Sequence, residues 1–124
     1  MFNVKISTLA AALVLGITAL AVAPLASAKD GDVRVRGACS EGSTAKLKLS
    51  REDRGIEVEF EVDQNRNGVP WKVTLRRNGR LVASTTATTR APSGSFTVRR
   101  VVAGGRIAAV ATRSSERCSA SASF

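Results

Sequence analysis

The chain predicts an all-β fold, a single antiparallel β-sandwich, on three observations. Apolar residues recur at every second position through most of residues 32–124, the period of a half-buried strand and not of a helix. Gly, Asn and Pro turn signals break that alternation at intervals of roughly 8 to 12 residues, the spacing of short strands in a sandwich or barrel. Cys39 and Cys118 stand near the two ends of the alternating region, where a bridge would tie its beginning to its end.

The first strand is expected over 32–40, with Val33, Val35 and Cys39 on one face and Arg34 and Arg36 on the other. Leu47 and Leu49 alternate with Lys46, Lys48 and Ser50, and Ile56, Val58, Phe60 and Val62 alternate with Glu57, Glu59, Glu61 and Asp63. Joined as a hairpin around 51–55 with Leu49 opposite Ile56, these two strands would set Lys48 against Glu57 and Lys46 against Glu59. Such exposed pairs contribute a few tenths of a kcal/mol each, and they favour that register. Trp71, Val73 and Leu75 mark the next strand, which runs into Asn78-Gly79. That dipeptide accepts the positive φ of a two-residue hairpin turn, and the returning strand covers 80–88. A Thr-rich loop with Pro92, 88–94, leads to a strand around Phe96, Val98 and Val102. The adjacent Arg99-Arg100 and Val101-Val102 break its alternation and predict a bulge or bend. Gly104-Gly105 precedes a strand at 107–112, and Cys118, Ala120, Ala122 and Phe124 alternate with serines in the last strand, 117–124. Seven to eight strands of this kind suggest an immunoglobulin-like sandwich. The cysteines do not follow the antibody pattern, because Trp71 lies 32 residues after Cys39, so the bridge is expected between the first and last strands.

Residues 1–28 stand apart and read as a secretory signal peptide. Lys5 precedes an apolar run at 9–22, and Ala26-Ser27-Ala28 supplies a small-residue cleavage pattern. The run is shorter than the roughly 18 to 20 apolar residues of a membrane span, and no cysteine follows it directly, as a lipoprotein would require. A mature domain of residues 29–124 is expected to be secreted, or loosely held at the cell envelope, with no membrane span. Its two cysteines then belong to an oxidising compartment.

The whole chain has 19 basic and 10 acidic residues; without Lys5 the mature part carries a net charge of +8. Such a charge attracts anionic polymers: cell-wall polymer, acidic polysaccharide or nucleic acid. Arg34, Arg36, Arg76 and Arg99 fall on outward positions, and Arg77 and Arg80 flank the Asn-Gly turn. If their strands share a sheet, these six residues form a cationic patch. Trp71, Phe60, Phe96 and Phe124 all sit on apolar faces, leaving no exposed aromatic for base stacking, so specific nucleic-acid binding is not expected.

The run Ile-Glu-Val-Glu-Phe-Glu-Val-Asp at 56–63, then Asn65-Arg66, Trp71, Leu-Arg-Arg-Asn-Gly at 75–79 and Ser-Gly-Ser-Phe-Thr-Val at 93–98, resembles small secreted proteins of unknown role from high-GC Gram-positive bacteria. The resemblance spans the mature domain and implies its architecture, with no activity and no site residue attached.

The inventory for catalysis is thin. The chain has no histidine and no tyrosine, which removes the usual general base, zinc ligand and phenolic acid together. Glu57, Glu59, Glu61 and Asp63 have the spacing of a carboxylate pair on a strand, but regular carboxylates facing basic neighbours describe a solvated face. Asp63, Asn65, Asn67 and Gly68 open like a calcium loop, yet Thr74 occupies the position of the required bidentate glutamate. A non-enzymatic module without cofactor or metal is therefore expected, binding an anionic envelope or extracellular polymer. The alternative is a protease inhibitor that presents Arg90-Ala91 on the 88–94 loop.

Overall fold

The computed structural model describes residues 31–124; the expected signal peptide lies outside the described residues. Nine strands are present among them: β1 (Val33–Arg36), β2 (Ala38–Cys39), β3 (Thr44–Glu52), β4 (Gly55–Asp63), β5 (Pro70–Arg77), β6 (Arg80–Thr88), β7 (Ser95–Val102), β8 (Arg106–Arg113) and β9 (Glu116–Ser123). They form two antiparallel sheets, one in the order β1-β3-β4-β7 and one in the order β2-β9-β8-β5-β6. The alternation read from the sequence turns one face of each sheet inward, and both inner faces contribute to one core. Leu47, Leu49, Val58, Phe60, Val62 and Val98 come from the four-stranded sheet. Trp71, Val73, Leu75, Ile107, Ala109, Ala111 and Cys118 come from the five-stranded sheet. Trp71 and Phe96 meet across the two sheets with ring centroids 6.1 Å apart. The fully buried indole N–H of Trp71 donates to Gln64 Oε1 at 3.1 Å, so its polar end is satisfied.

Three local expectations are corrected. The single strand at 32–40 is divided: β1 pairs with β3 in one sheet, and β2 pairs with β9 in the other. Gly37 makes the crossing, its N–H bonded to the Ala45 carbonyl at 2.8 Å. A Cβ at this position would lie 2.6 Å from the Ser119 carbonyl oxygen and 2.9 Å from Ala45 Cβ, so only glycine lets the chain pass between the sheets. The β3–β4 hairpin forms, but Asp53 and Arg54 alone make its turn, which slides the register by two residues. Leu49 faces Val58, Lys48 faces Glu59 and Lys46 faces Glu61. The Lys–Glu match survives because a slip of two preserves the face on which each side chain lies.

No bulge occurs in β7, which pairs with β4 without interruption from Ser95 to Val102. Arg100 instead takes an inward position on this edge strand and reaches out to solvent, donating to the Arg99 carbonyl at 2.7 Å. The irregularity lies between Leu75 and Arg76, where Val82 is the extra residue beside the hairpin turn. That turn is as expected: Asn78 and Gly79 both have positive φ, 48° and 81°, and join Arg77 to Arg80.

Cys39 and Cys118 are bonded and face each other across the β2–β9 pair, tying the first part of the domain to the last strand. Ser40 and Arg117 exchange two hydrogen bonds beside the bridge, and the buried Glu116 accepts from the Ser43 amide and hydroxyl at 3.1 and 2.8 Å. The bridge closes a separation of 79 residues, for which loop entropy gives about 4 to 5 kcal/mol. Reduction, or Cys118→Ala, is expected to lower Tm by on the order of 20 °C in a domain this size; an unchanged melting curve in reductant would contradict this role. Gly37→Ala is expected to cost roughly 1 to 3 kcal/mol in urea unfolding, because its Cβ would overpack the crossing.

Candidate functional site

The two sheets divide the six candidate arginines. Arg34 and Arg36 on β1 and Arg99 on β7 belong to the four-stranded sheet, whereas Arg76, Arg77 and Arg80 belong to the β5–β6 hairpin of the other. The six do not form one patch. On the outer face of the four-stranded sheet, Arg34, Lys48, Glu59 and Arg99 make a row across all four strands, and Arg36, Lys46, Glu61 and Thr97 make the next. Glu59 is bonded to Arg99 Nε at 2.9 Å and lies 3.8 Å from Lys48 Nζ, which is itself 3.8 Å from Asp32. The hydrogen bond from Arg99 holds the Glu59 carboxyl below its ordinary value against partial desolvation, with the Lys48 charge acting in the same direction. Glu59 raises the Arg99 guanidinium in return. These cations are partly spent on carboxylates of their own sheet.

The outer face of the five-stranded sheet is different. Lys72, Arg76, Arg106 and Arg117 point outward among Thr74, Ala108, Val110, Thr112, Ser119 and Ser121, and no acidic residue occupies an outward position on β5, β6, β8 or β9. Lys72 and Arg117 flank Thr112 in one row, about 10 Å apart at the usual strand spacing. Where β1 leaves for the other sheet, a groove of about 470 Å³ opens beside β9. Arg36, Arg106 and Arg117 line it, together with Ser119 and Ser121 and without any carboxylate. Arg36 is the one expected residue that reaches this groove. Arg106 and Arg117 were not among the six candidates, although the alternation that buries Ile107 and Cys118 already turns them outward.

Arg77 takes a structural position instead. It lies at the inward end of β5, and its Nε donates to the carbonyls of Ala103 and Gly104 at 3.1 and 2.8 Å. Arg76 donates to the Gly79 carbonyl within the hairpin at 3.3 Å. Arg80 is exposed at the turn.

Arg90 and Ala91 are exposed, but the loop is closed on itself. The Arg90 carbonyl accepts from Gly94 N at 2.8 Å and Ser95 N at 3.3 Å, and Arg90 N donates to Ser95 O at 2.9 Å. Thr89 is buried, and its hydroxyl binds both the Val69 amide and the Arg66 carbonyl. A protease-directed loop must offer its scissile carbonyl to external donors, whereas here that carbonyl is occupied within the turn. In the Asp63–Gly68 segment, Asp63 Oδ1 accepts the Asn65 amide at 2.9 Å, and the segment serves as the connection between β4 and β5. No group of three or more His, Cys, Asp or Glu suited to a metal occurs among the described residues, and no helix long and apolar enough to cross a membrane occurs among them.

The lowered Glu59 pKa sets a pH dependence. Its stabilising effect is full above the unfolded carboxyl value of about 4.3 and is lost as pH falls through the lower folded value. The Tm difference between the protein and its Glu59→Gln variant should accordingly be present at neutral pH, shrink below about pH 4, and diminish in high salt. A difference that grows on acidification would contradict the pairing.

No protein-family model, curated protein or solved structure matches the chain.

Proposed function

We propose that the protein is a secreted, non-catalytic β-sandwich that holds an anionic cell-envelope or extracellular polymer on the outer face of its five-stranded sheet. One observation carries this reading: Lys72, Arg76, Arg106 and Arg117, joined by Arg36 at the groove, share a face that bears no carboxylate. Cations without local partners keep their attraction for an external polyanion, and a flat floor of Ser, Thr and Ala lets an extended chain approach. The absence of histidine and tyrosine from the sequence supports a binding role over a catalytic one. The bonded cysteine pair supports an oxidising, extracellular setting, in keeping with cleavage of the signal sequence after Ala28.

In this reading the sandwich is immunoglobulin-like in architecture, its first strand shared between two facing sheets, and its relatives are small secreted proteins of high-GC Gram-positive bacteria. Its strand order departs from the immunoglobulin pattern, because β3 and β4 are neighbours in one sheet.

The test is retention on immobilised heparin and on purified cell-wall polymer along a salt gradient. The double variant Arg106→Ser/Arg117→Ser should elute at clearly lower salt than the parent, and the charge-matched double variant Arg34→Ser/Arg99→Ser, which removes two cations from the carboxylate-bearing face of the other sheet, should elute close to it. Equal loss from both variants would mean that net charge alone, and not this face, holds the polymer.

A further inference from the structure

Among the described residues the two sheets have four edges, and three of them are guarded. β1 is four residues long and carries Arg34 and Arg36, β7 carries Arg99 and the inward-set Arg100, and β2 is two residues long, leaving unpaired on that side only the short stretch Ala120–Ser123 of β9 past Ser119. Short edges and edge charges are the usual means by which sheets avoid pairing with foreign strands. β6 has neither. It runs for nine residues, and from Leu81 to Thr88 it contains no charge and no proline. Within Arg80–Thr88 no backbone hydrogen bond is made among the described residues beyond the ladder with β5. An antiparallel ladder turns the N–H and C=O of alternate residues away from its partner, so a row of donors and acceptors faces outward along this edge. The inward Ala83, Thr85 and Ala87 are only half-buried, and Leu81 and Val82 are 47% and 40% exposed, two of the three exposed large apolar residues.

The charge around this edge selects its occupant. Arg80 lies at one end and Arg90 beyond the other, while Lys72 and Arg76 project from the neighbouring β5. A groove of about 470 Å³ along the β6–β7 side is lined by Thr86, Thr88, Arg90, Thr97 and Arg99. No acidic residue lies on β5, β6 or β7. A second copy of this chain paired through β6 would set two such cationic groups against each other. We propose that β6 accepts, by strand addition, an extended acidic segment of a partner protein, with the backbone ladder supplying affinity and the surrounding arginines and Lys72 selecting acidic side chains. This edge borders the polymer-binding face and shares Lys72 and Arg76 with it, whereas Arg106 and Arg117 belong to that face alone.

The probe is a labelled peptide of alternating Glu and Val, about ten residues long, compared with two versions N-methylated at alternate residues in opposite frames. Methylation keeps every side chain and removes the amide donors of one edge of the peptide. The parent peptide and one methylated frame should bind alike, and the other frame should bind about tenfold more weakly, having lost several ladder bonds. Hydrogen exchange of β6 amides should slow in the complex, with no change in β1 or β7. Ser84→Glu, on the outward side of β6, should weaken the parent peptide several-fold, whereas Arg106→Ser/Arg117→Ser should leave peptide binding unchanged while lowering polymer retention. The proposal is overturned if no peptide binds, if both methylated frames bind like the parent, or if protection appears on another strand. It is equally overturned if the peptide-free protein is a dimer whose β6 amides are already protected.

Discussion

The crossing at Gly37 is the constraint on which the rest of the structure depends. Because this residue has no side chain, the chain passes between the sheets against the Ser119 carbonyl and Ala45, and β1 and β2 become edges of different sheets. One continuous segment then holds both sheets together at one side of the sandwich. The disulfide from Cys39 to Cys118 lies two residues beyond the crossing, and the Ser40–Arg117 and Ser43–Glu116 hydrogen bonds follow at once. The last strand is thereby fixed to the beginning of the domain by one covalent bond and several polar ones. The same crossing leaves β9 uncovered past Ala38 and creates the groove that brings Arg36 to Arg106 and Arg117.

Charge is distributed by sheet, and that distribution separates structural cations from available ones. β4 places Glu57, Glu59 and Glu61 along the middle of the four-stranded sheet, and Glu59 lies between Lys48 of β3 and Arg99 of β7, so both cations are engaged in ion pairs. Past Asp63 the sequence contains one further acidic residue, Glu116, and it is buried against Ser43. Two arginines on inward positions are absorbed by the fold. Arg77 bonds the carbonyls of Ala103 and Gly104, and Arg113 lies over the Trp71 ring with its guanidinium carbon 6.0 Å from the centroid. The outward cations of the five-stranded sheet have no carboxylate beside them, and a net charge that says little by itself becomes a surface with a location.

Much of the fold was legible because side-chain alternation in a strand is a local property. Trp71, Val73, Leu75, Ile107, Ala109 and Cys118 are buried as their spacing requires, and Asn78-Gly79 forms its turn because the turn depends on the φ preferences of two residues. The division of the first strand was not legible, since Val33, Val35 and Cys39 keep one parity whichever sheet they join. The register of the β3–β4 hairpin was legible only to within a slip of two, because such a slip changes neither the buried face nor the Lys–Glu match. The expected bulge at Arg99-Arg100 was misplaced because an edge strand tolerates an inward arginine whose long side chain still reaches water.

The candidate site followed the same division. By itself the sequence determined the all-β architecture, the inward and outward residues, the basic charge and the two cysteines free to pair, since composition and a period of two need no knowledge of neighbours. Only the tertiary structure decided which strands share a sheet. It thereby separated Arg34 and Arg99 from Arg76 and Arg80, closed the Arg90 carbonyl into its own turn, and assembled Arg36, Arg106 and Arg117 around one groove. Beyond the β3–β4 and β5–β6 hairpins, which local turn signals already join, sheet membership depends on long-range packing around Gly37 and the Cys39–Cys118 bridge, and no local pattern along the chain encodes it.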